Sequence, residues 1–217
     1  MLQLADCHLL VFARVPAWGR VKSRLAAGVG PSAALAVYRE LLAITNAAIV
    51  EADVPATVWL ADTAGPEPTA AEAQEWTTQA ARSQPDGDLG ERMNTAFAAA
   101  FATGAGRVAI IGTDCPGLRA SHLIQAFGAL ESADLVLGPA TDGGYYLLAL
   151  RQPQPTLFAN KTWSTDSVLT DTLADARHLG LRVALLSELR DVDNAEDLAA
   201  WNAVHPALAG SQPTTGG

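Results

Sequence analysis

Short apolar runs alternate along the chain with longer segments whose apolar residues recur at helical spacing. The runs are bounded by Gly, Pro or charged residues, which is typical of buried strands in a parallel sheet. They cover residues 8–13, 54–61, 108–111, 134–138, 145–150 and 181–186, with a weaker candidate at 76–83. The helical segments cover residues 31–51, about 88–101, 121–131, a stretch after 163–166, and 196–204. This alternation predicts right-handed βαβ units and a mainly parallel sheet.

Length and composition favour one globular domain. The chain has 217 residues, of which 49% are hydrophobic and 17% are charged, so it carries enough apolar side chains to bury a core. We expect the domain to span residues 1–205. We expect residues 206–217, which end in Gly, Ser, Pro and Thr, to form a disordered tail.

The net charge of −9 argues against several kinds of partner. Nucleic acids and anionic membranes require a basic surface, so we expect neither. The apolar runs are far shorter than a membrane span, and no basic segment precedes the first of them, so we expect no membrane span and no signal peptide. Cys7 and Cys115 are too few for a disulfide framework and suit a reducing, cytoplasmic location.

A dense basic stretch follows the first predicted strand. Within residues 14–25, four side chains are basic: Arg14, Arg20, Lys22 and Arg24. Pro16 and Gly19 keep the stretch irregular, so its backbone can lie close to a ligand. Lys supplies a mobile point charge and Arg a planar fork for phosphate oxygens. The stretch is therefore predicted to bind phosphate, although an exposed basic loop that aids solubility would have the same composition.

Asp114 is the first candidate metal ligand. The strand predicted over residues 108–111 stops at Gly112, and Asp114 follows in a short loop before Pro116. Open α/β sheets bind ligands just beyond the carboxyl ends of their strands, which favours a metal or a polar substrate at Asp114. The alternative is that Asp114 caps the helix that follows.

Residues 87–91 allow a structural and a functional interpretation. Asp88 and Glu91 have the spacing of a helix capping box. Gly87 and Gly90 are harder to explain, because Gly within a first helical turn costs about 1 kcal/mol relative to Ala. The close approach of a flat ligand such as a nucleobase would account for them.

Two acidic positions later in the chain are also candidates. Asp142-Gly143-Gly144 lies between two predicted strands and has the sequence of a hairpin turn. Alternatively, the glycines form a bare surface under a substrate at which Asp142 is aimed. Asp193 directly precedes the last predicted helix, so its side chain could point into a site, whereas acids inside a first helical turn ordinarily complement the helix dipole.

Several common chemistries lack their motifs. The sequence has no G-x-G-x-x-G after the first strand, no P-loop, no G-x-S-x-G and no H-E-x-x-H. A nicotinamide-binding Rossmann domain, a P-loop NTPase, a serine hydrolase and a zinc hydrolase are therefore not expected. Carboxylates combined with nucleotide phosphates instead suit Mg²⁺ or Mn²⁺, which offsets charge on a departing diphosphate.

Six motifs in order resemble a known family. They are F-A-R-V-P-A-W-G-R-V-K-S-R-L, G-D-L-G-E-R-M, I-G-T-D-C-P-G-L, G-P-A-T-D-G-G-Y-Y-L-L, W-S-T-D and D-V-D-N-A-E-D-L. This set resembles the uncharacterised bacterial glycosyltransferase-like group related to 2-phospholactate guanylyltransferase, within the glycosyltransferase-A and nucleotidyltransferase superfamily. The resemblance implies a three-layer αβα sandwich with a mixed, mainly parallel sheet and a nucleotide site at the carboxyl ends of the strands.

The resemblance also implies roles for individual residues. The metal ligands would be Asp114 and Asp193, and the catalytic side chains Lys22, Arg24 and Asp142. The acceptor would meet Gly143, Gly144 and Tyr146. The nucleotide would contact a larger set: Arg14, Gly19, Lys22, Arg24, Gly87, Asp88, Gly112 and Thr113. Cys115 is expected to be a small filler beside the site.

These observations predict a metal-dependent transferase that uses Mg²⁺ or Mn²⁺ and acts on a nucleoside triphosphate or a nucleotide sugar. It would transfer a nucleotidyl or a glycosyl group to a small acceptor. The T-D-C-P sequence around Asp114 differs from the D-x-D of many sugar transferases, so both reactions stay open. The alternative is a catalytically silent nucleotide-binding regulatory protein of the same fold, and a metal-dependent phosphatase is a third hypothesis. Homodimer formation is compatible with the sequence.

Overall fold

The structure is a computed structural model that describes residues 6–204, so the tail expected at 206–217 lies outside the described residues. The strands are β1 (Cys7–Arg14), β2 (Ala56–Ala61), β3 (Ala80–Ser83), β4 (Arg107–Ile111), β5 (Leu135–Pro139), β6 (Tyr145–Leu150) and β7 (Val183–Leu185). The helices are α1 (Ser23–Val29), α2 (Pro31–Ala52), α3 (Leu89–Ala102), α4 (Ala120–Ala129), α5 (Val168–His178) and α6 (Ala195–Val204), and a 3₁₀ helix spans Pro155–Phe158.

All seven strands belong to one mixed sheet with the order β3-β2-β1-β4-β6-β5-β7. Strand β6 runs antiparallel to both β4 and β5, and the other neighbouring pairs are parallel. The reversal of β6 follows from the short turn that joins it to β5, because two strands joined by so few residues can pair only as a hairpin. The mixed, mainly parallel sheet predicted from the sequence is confirmed.

Helices cover both faces of the sheet. Successive residues of a strand point to opposite faces, so Leu9 and Val11 of β1 enter one apolar core while Leu10 enters the other. The first core packs against α2 and α4. The second packs against α3, α5 and the 3₁₀ helix. The predicted three-layer αβα arrangement is therefore observed.

The main departure from the predicted elements is helix α1. The stretch 14–25 was expected to be irregular, but α1 begins at Ser23, with Lys22 at its N-cap in the left-handed conformation (φ 49°). The strand expected at 76–83 is shorter than predicted, since β3 covers only Ala80–Ser83. Trp76, just before β3, is instead a fully buried core residue.

Among residues 6–204, α2 is the one helix as long and as apolar as a membrane-spanning helix. An 18-residue window of this 22-residue helix has a mean hydropathy of 1.5, so its length and composition alone would suit a membrane span. Core helices meet the same criterion. In this fold one face of α2 is buried, including Tyr38, Leu42 and Ile49, which join the first core.

Candidate active site

Lys22 joins two distant acidic residues. Its Nζ lies 2.6 Å from Oδ1 of Asp114 and 3.0 Å from Oδ1 of Asp193. The Lys22 side chain is only 6% exposed, whereas those of Asp114 and Asp193 are 48% and 37% exposed. The two carboxylates therefore converge on one buried cation and keep an open side towards solvent. Burial opposes the charge on Lys22, but the two carboxylates outweigh it and raise the Lys22 pKa.

The backbone near Asp193 is fixed on both sides. The preceding residue, Val192, is buried and donates its N–H to the carbonyl oxygen of Asp114 over 2.9 Å. On the other side, Asn194 caps helix α6, since its Oδ1 accepts hydrogen bonds from the N–H groups of Glu196 and Asp197. The cap is thus made by Asn194, which leaves the Asp193 carboxylate available to Lys22.

Asp114 does not cap the helix that follows it. Helix α4 begins at Ala120 and its N-cap position is Arg119, five residues beyond Asp114. The structural alternative considered for Asp114 is therefore wrong. The carboxylate instead lies beyond the end of β4, in the position that ligands of open α/β sheets occupy.

A cleft of about 310 Å³ opens beside this group. It contains the carboxylates Asp114, Asp142, Asp191 and Asp193, together with the guanidinium of Arg24. Apolar and aromatic side chains also line it: Phe12, Leu89, Met93, Ile110, Tyr145, Trp163 and Val168. The cleft thus joins residues that follow β1, β4 and β5 to the segment before α6.

The structure brings many of the candidate site residues together here. Seven of them line the cleft: Arg24, Gly112, Asp114, Asp142, Gly144, Tyr146 and Asp193. Lys22 is linked to the cleft through its ion pairs with Asp114 and Asp193. Gly112 is exposed, and nothing lies within 4 Å of the position that a Cβ atom would take there. A ligand can therefore reach the backbone at the end of β4.

Other candidates lie near the cleft without lining it. Arg14 forms an ion pair of 2.6 Å with Asp62, and Gly19 is exposed at φ +71°. Thr113 is buried next to the Tyr38 hydroxyl. This hydroxyl accepts a hydrogen bond from the Arg14 N–H and donates one to the Arg14 carbonyl oxygen. Tyr38 thereby anchors the end of β1, a role that its position in an apolar helical stripe did not indicate.

The capping box at the start of α3 is confirmed. Asp88 Oδ1 accepts a hydrogen bond from Glu91 N–H, and Glu91 Oε2 accepts one from Asp88 N–H. Gly87 has φ +115°, a conformation that glycine favours. A Cβ atom at Gly90 would collide with the Phe158 carbonyl and lie 2.8 Å from the Trp163 indole. The backbone conformation thus accounts for Gly87, and the packing of the chain accounts for Gly90.

The segment 142–144 is a hairpin turn that also faces the cleft. Asp142 Oδ1 accepts a hydrogen bond from Gly144 N–H over 2.8 Å, which closes the turn between β5 and β6. Gly143 has φ +87°, and the backbone of Asp166 occupies the place of its Cβ. Of the two glycines, Gly144 lines the cleft and Gly143 packs on the chain. The buried Tyr146 donates its hydroxyl proton to the Ser187 carbonyl oxygen.

Asp191 is a cleft residue that the sequence interpretation passed over. It is half-buried, and burial and the negative charges of Asp142 and Asp193 raise its pKa. A signal for it was present in D-V-D, because alternate residues of an extended segment point to the same side. Burial, with smaller contributions from the negative charges of Asp191 and Asp114, raises the pKa of the Cys115 thiol, which fits a filler and not a nucleophile.

The comparison with protein families identifies the chain. A model described as "uncharacterized protein conserved in bacteria (DUF2064)" matches residues 46–165. This chain belongs to the DUF2064 family. A search of curated proteins found no match.

Solved structures share the fold of this DUF2064 protein. A protein of Desulfovibrio desulfuricans G20, provisionally named a nucleotide-diphospho-sugar transferase, is 28% identical, with a TM-score of 0.84 over 95% of this chain and 89% of its own. Rv0371c of Mycobacterium tuberculosis, in complex with manganese, is 15% identical with a TM-score of 0.55 over 89% and 96%. The synthetase of CMP-2-keto-3-deoxy-manno-octonic acid, in complex with CTP, is 12% identical with a TM-score of 0.57 over 93% and 99%.

The donor set of the DUF2064 site suits a small hard cation. Within residues 6–204 no cluster of three or more His, Cys, Asp or Glu side chains could hold a metal alone. Two carboxylates on one cation position nevertheless match Mg²⁺, which usually binds one or two carboxylates and completes its coordination with phosphate oxygens and water. Asp114 and Asp193 would hold such an ion.

Proposed function

We propose that this protein is a metal-dependent transferase that acts on a nucleoside triphosphate or a nucleotide sugar and passes a nucleotidyl or glycosyl group to a small acceptor. The observation that carries the proposal is the convergence of Asp114 and Asp193 on Lys22 Nζ at the rim of the cleft. A buried ammonium between two partly open carboxylates marks a position where cationic charge is required. A site of this kind binds the phosphates of a nucleotide together with a divalent cation.

Each residue has a defined part in this proposal. Asp114 and Asp193 would hold Mg²⁺ or Mn²⁺, and the ion would supply positive charge to offset that of a leaving diphosphate or pyrophosphate. Lys22 and Arg24 hold phosphate oxygens from the side of α1, and Arg24 is exposed at the cleft. Asp142, on the turn between β5 and β6, orients or deprotonates the acceptor.

The similar structures support this assignment through their names. They include a provisionally named nucleotide-diphospho-sugar transferase and the inositol-1-phosphate CTP transferase of T. maritima. One contains CTP and another contains manganese. The same proposal includes three further points: the protein is related to 2-phospholactate guanylyltransferase, its partners are small molecules, and it is located in the cytoplasm.

Calorimetry with GTP, CTP, UTP and UDP- or GDP-sugars, each with and without Mg²⁺, tests it directly. At least one nucleotide should bind in a Mg²⁺-dependent way, and Asp114→Asn or Asp193→Asn should abolish that dependence. Asp53→Asn, an exposed acid at the end of α2, is the matched control and should bind as the wild type does.

Two outcomes would decide against the proposal or its reaction. Absence of Mg²⁺-dependent binding with every nucleotide would refute it. If binding occurs, the product separates the two reactions, because nucleotidyl transfer from a triphosphate releases pyrophosphate and glycosyl transfer releases a nucleoside diphosphate. Binding without turnover by any acceptor would favour the regulatory alternative.

A further inference from the structure

The charges that line the cleft are unevenly paired. Asp114 and Asp193 share the ammonium of Lys22. Asp142 and Asp191 form no ion pair with any Lys, Arg or His within residues 6–204. Arg24 is the only cationic side chain among the residues that line the described cleft. Two of the four carboxylates, Asp114 and Asp193, are therefore compensated by a cation, whereas Asp142 and Asp191 carry uncompensated negative charge.

The contacts of these two acids do not neutralise them. Asp142 accepts a hydrogen bond from Gly144 N–H, and Asp191 lies 3.4 Å from the Thr141 hydroxyl. Neither donor carries a net charge. Both carboxylates line the same cleft. An anionic group placed between them would meet repulsion from both.

The wall of the cleft formed by α3 and the segment before α5 is apolar and aromatic. Leu89 is 39% exposed although it is a large hydrophobic residue at the start of α3. Trp163 lies against Gly90, which has no side chain to displace the indole. The buried Nε1 of Trp163 has no hydrogen-bond partner among the described residues. A flat or apolar body fits against this wall, since aromatic side chains bind such groups through stacking and area burial.

We infer that the acceptor is a neutral or cationic hydroxyl compound with an apolar or aromatic body, and not a phosphorylated or carboxylated one. The inference rests on the proposed function, because it assigns the part of the cleft lined by Asp142, Asp191 and Trp163 to the acceptor. The cation-rich half around Lys22 and Arg24 is left to the nucleotide phosphates. An acceptor phosphate would lack a cation in its own half of the cleft.

A matched pair of probes tests the charge of the acceptor. Phenyl β-D-glucoside and phenyl phosphate share the aromatic body and differ in charge. Their binding to the full-length protein is measured by calorimetry in excess Mg²⁺ and pyrophosphate, which fill the cation-rich half. We expect the glucoside to bind about tenfold or more tightly than phenyl phosphate, as expected for repulsion by two nearby carboxylates.

Variants locate the effect. The double variant Asp142→Asn/Asp191→Asn should reduce the preference for the glucoside by about tenfold. The control is Asp53→Asn/Glu67→Gln, which removes two exposed acids outside the cleft. It changes the net charge equally and should preserve the preference. Trp163→Ala should weaken glucoside binding by about tenfold and Trp163→Phe by much less, because Phe keeps the aromatic face. Circular dichroism and thermal melting confirm that each variant is folded.

The possible outcomes separate this inference from the proposed function. Equal or tighter binding of phenyl phosphate, or no binding of either probe, would overturn the inference, even where a nucleotide binds with Mg²⁺. Preferential binding of the glucoside that persists unchanged in Asp142→Asn/Asp191→Asn would also overturn it. Preferential binding that these substitutions reduce supports it, and a failure of every nucleotide to bind would then count against the proposed function alone.

Discussion

Val192 and Asp114 are joined by a backbone hydrogen bond of 2.9 Å, from the N–H of the first to the carbonyl oxygen of the second. The bond ties the segment before α6 to the loop after β4. Because Asp193 directly follows Val192, its carboxylate is brought to the same ammonium that Asp114 contacts. A main-chain hydrogen bond therefore holds Asp114 and Asp193 close together. This arrangement suits a site whose two carboxylates must stay in place when a metal ion replaces the Lys22 ammonium.

Lys22 and a divalent cation should compete for the same carboxylates. We expect Lys22→Met to raise the affinity for Mn²⁺ alone by about tenfold, because it removes a positive charge adjacent to both acids. The same substitution should lower nucleotide affinity at least about tenfold, since a phosphate contact is lost. Titrations of Mn²⁺ followed by electron paramagnetic resonance, and calorimetry with nucleotide, measure the two effects.

The control is Arg20→Met, which removes a positive charge from an exposed position two residues away. It should change Mn²⁺ affinity little. A parallel loss of Mn²⁺ and nucleotide affinity in Lys22→Met would contradict competition and indicate that Lys22 is needed to organise the acids.

Gly143→Ala should be one of the more destabilising substitutions in the chain. The residue has φ +87°, and the backbone of Asp166 occupies the space of the new methyl group. We expect a loss of about 2–4 kcal/mol in the free energy of unfolding, from backbone strain and steric overlap together. Chemical denaturation measures it.

Gly104→Ala isolates the strain in that experiment. Gly104 has φ +95° but nothing lies within 4 Å of its Cβ position, so only the backbone term applies. A cost of about 1 kcal/mol is expected there. An equal loss of unfolding free energy at Gly143 and Gly104 would show that the segment around Asp166 moves aside to accommodate the new methyl group.

Asp134 should stabilise the fold at neutral pH and lose this effect in acid. Hydrogen bonds from the side chain and backbone of Arg182 lower the Asp134 pKa to about 2, below its ordinary value of 3.8. A carboxylate with a lowered folded-state pKa stabilises the fold fully above about pH 4 and loses that contribution as the pH falls towards 2. Asp134→Asn should lower the Tm modestly at pH 7, as expected for an ion pair at the surface, and by much less at pH 2.

A thermal-melting series from pH 7 to pH 2 tests this difference. Asp171→Asn, which changes an exposed acid of α5 that forms no ion pair within residues 6–204, provides the comparison. A Tm difference between wild type and Asp134→Asn that stays constant across the series would contradict the linkage.

Neither cysteine should react as a thiolate in the folded protein. Burial raises the pKa of Cys7 to about 11 and also raises that of Cys115. At pH 8 a disulfide reagent such as DTNB should label both thiols only after unfolding in guanidinium. Rapid labelling of Cys115 in the native protein would contradict this prediction and show that the loop after β4 opens to solvent.

Much of the architecture could be predicted, because apolar runs and helical stripes reflect burial directly. Asp114 and Asp193 could be proposed as partners from ordered motifs, and the structure places both on Lys22. The roles of Gly90 and Gly143 could not be predicted in this way. Each accommodates a segment distant in sequence, residues 158–166, and no local pattern encodes which segment will pack against a glycine.

Helix α1 shows a second limit. Its seven residues, Ser23–Val29, follow Lys22 in a left-handed conformation and have no side-chain cap, so the usual signals of a helix start are missing. The helix is held by packing: Leu25 is buried with Leu41, Val192 and Trp201 in a third apolar cluster. Tertiary contacts, and not local propensity, thus decide the structure directly after Lys22.

The contact between Lys22 and Asp193 spans 171 residues of sequence. Closing so long a loop costs chain entropy, so this contact should form late, after the sheet has assembled. Conversely, if the hydrogen bond from Val192 N–H to the Asp114 carbonyl oxygen breaks, the segment before α6 can move away and separate Asp193 from Asp114, while the strands stay paired. Hydrogen exchange at Val192 N–H would then report the integrity of the site separately from the global stability of the protein.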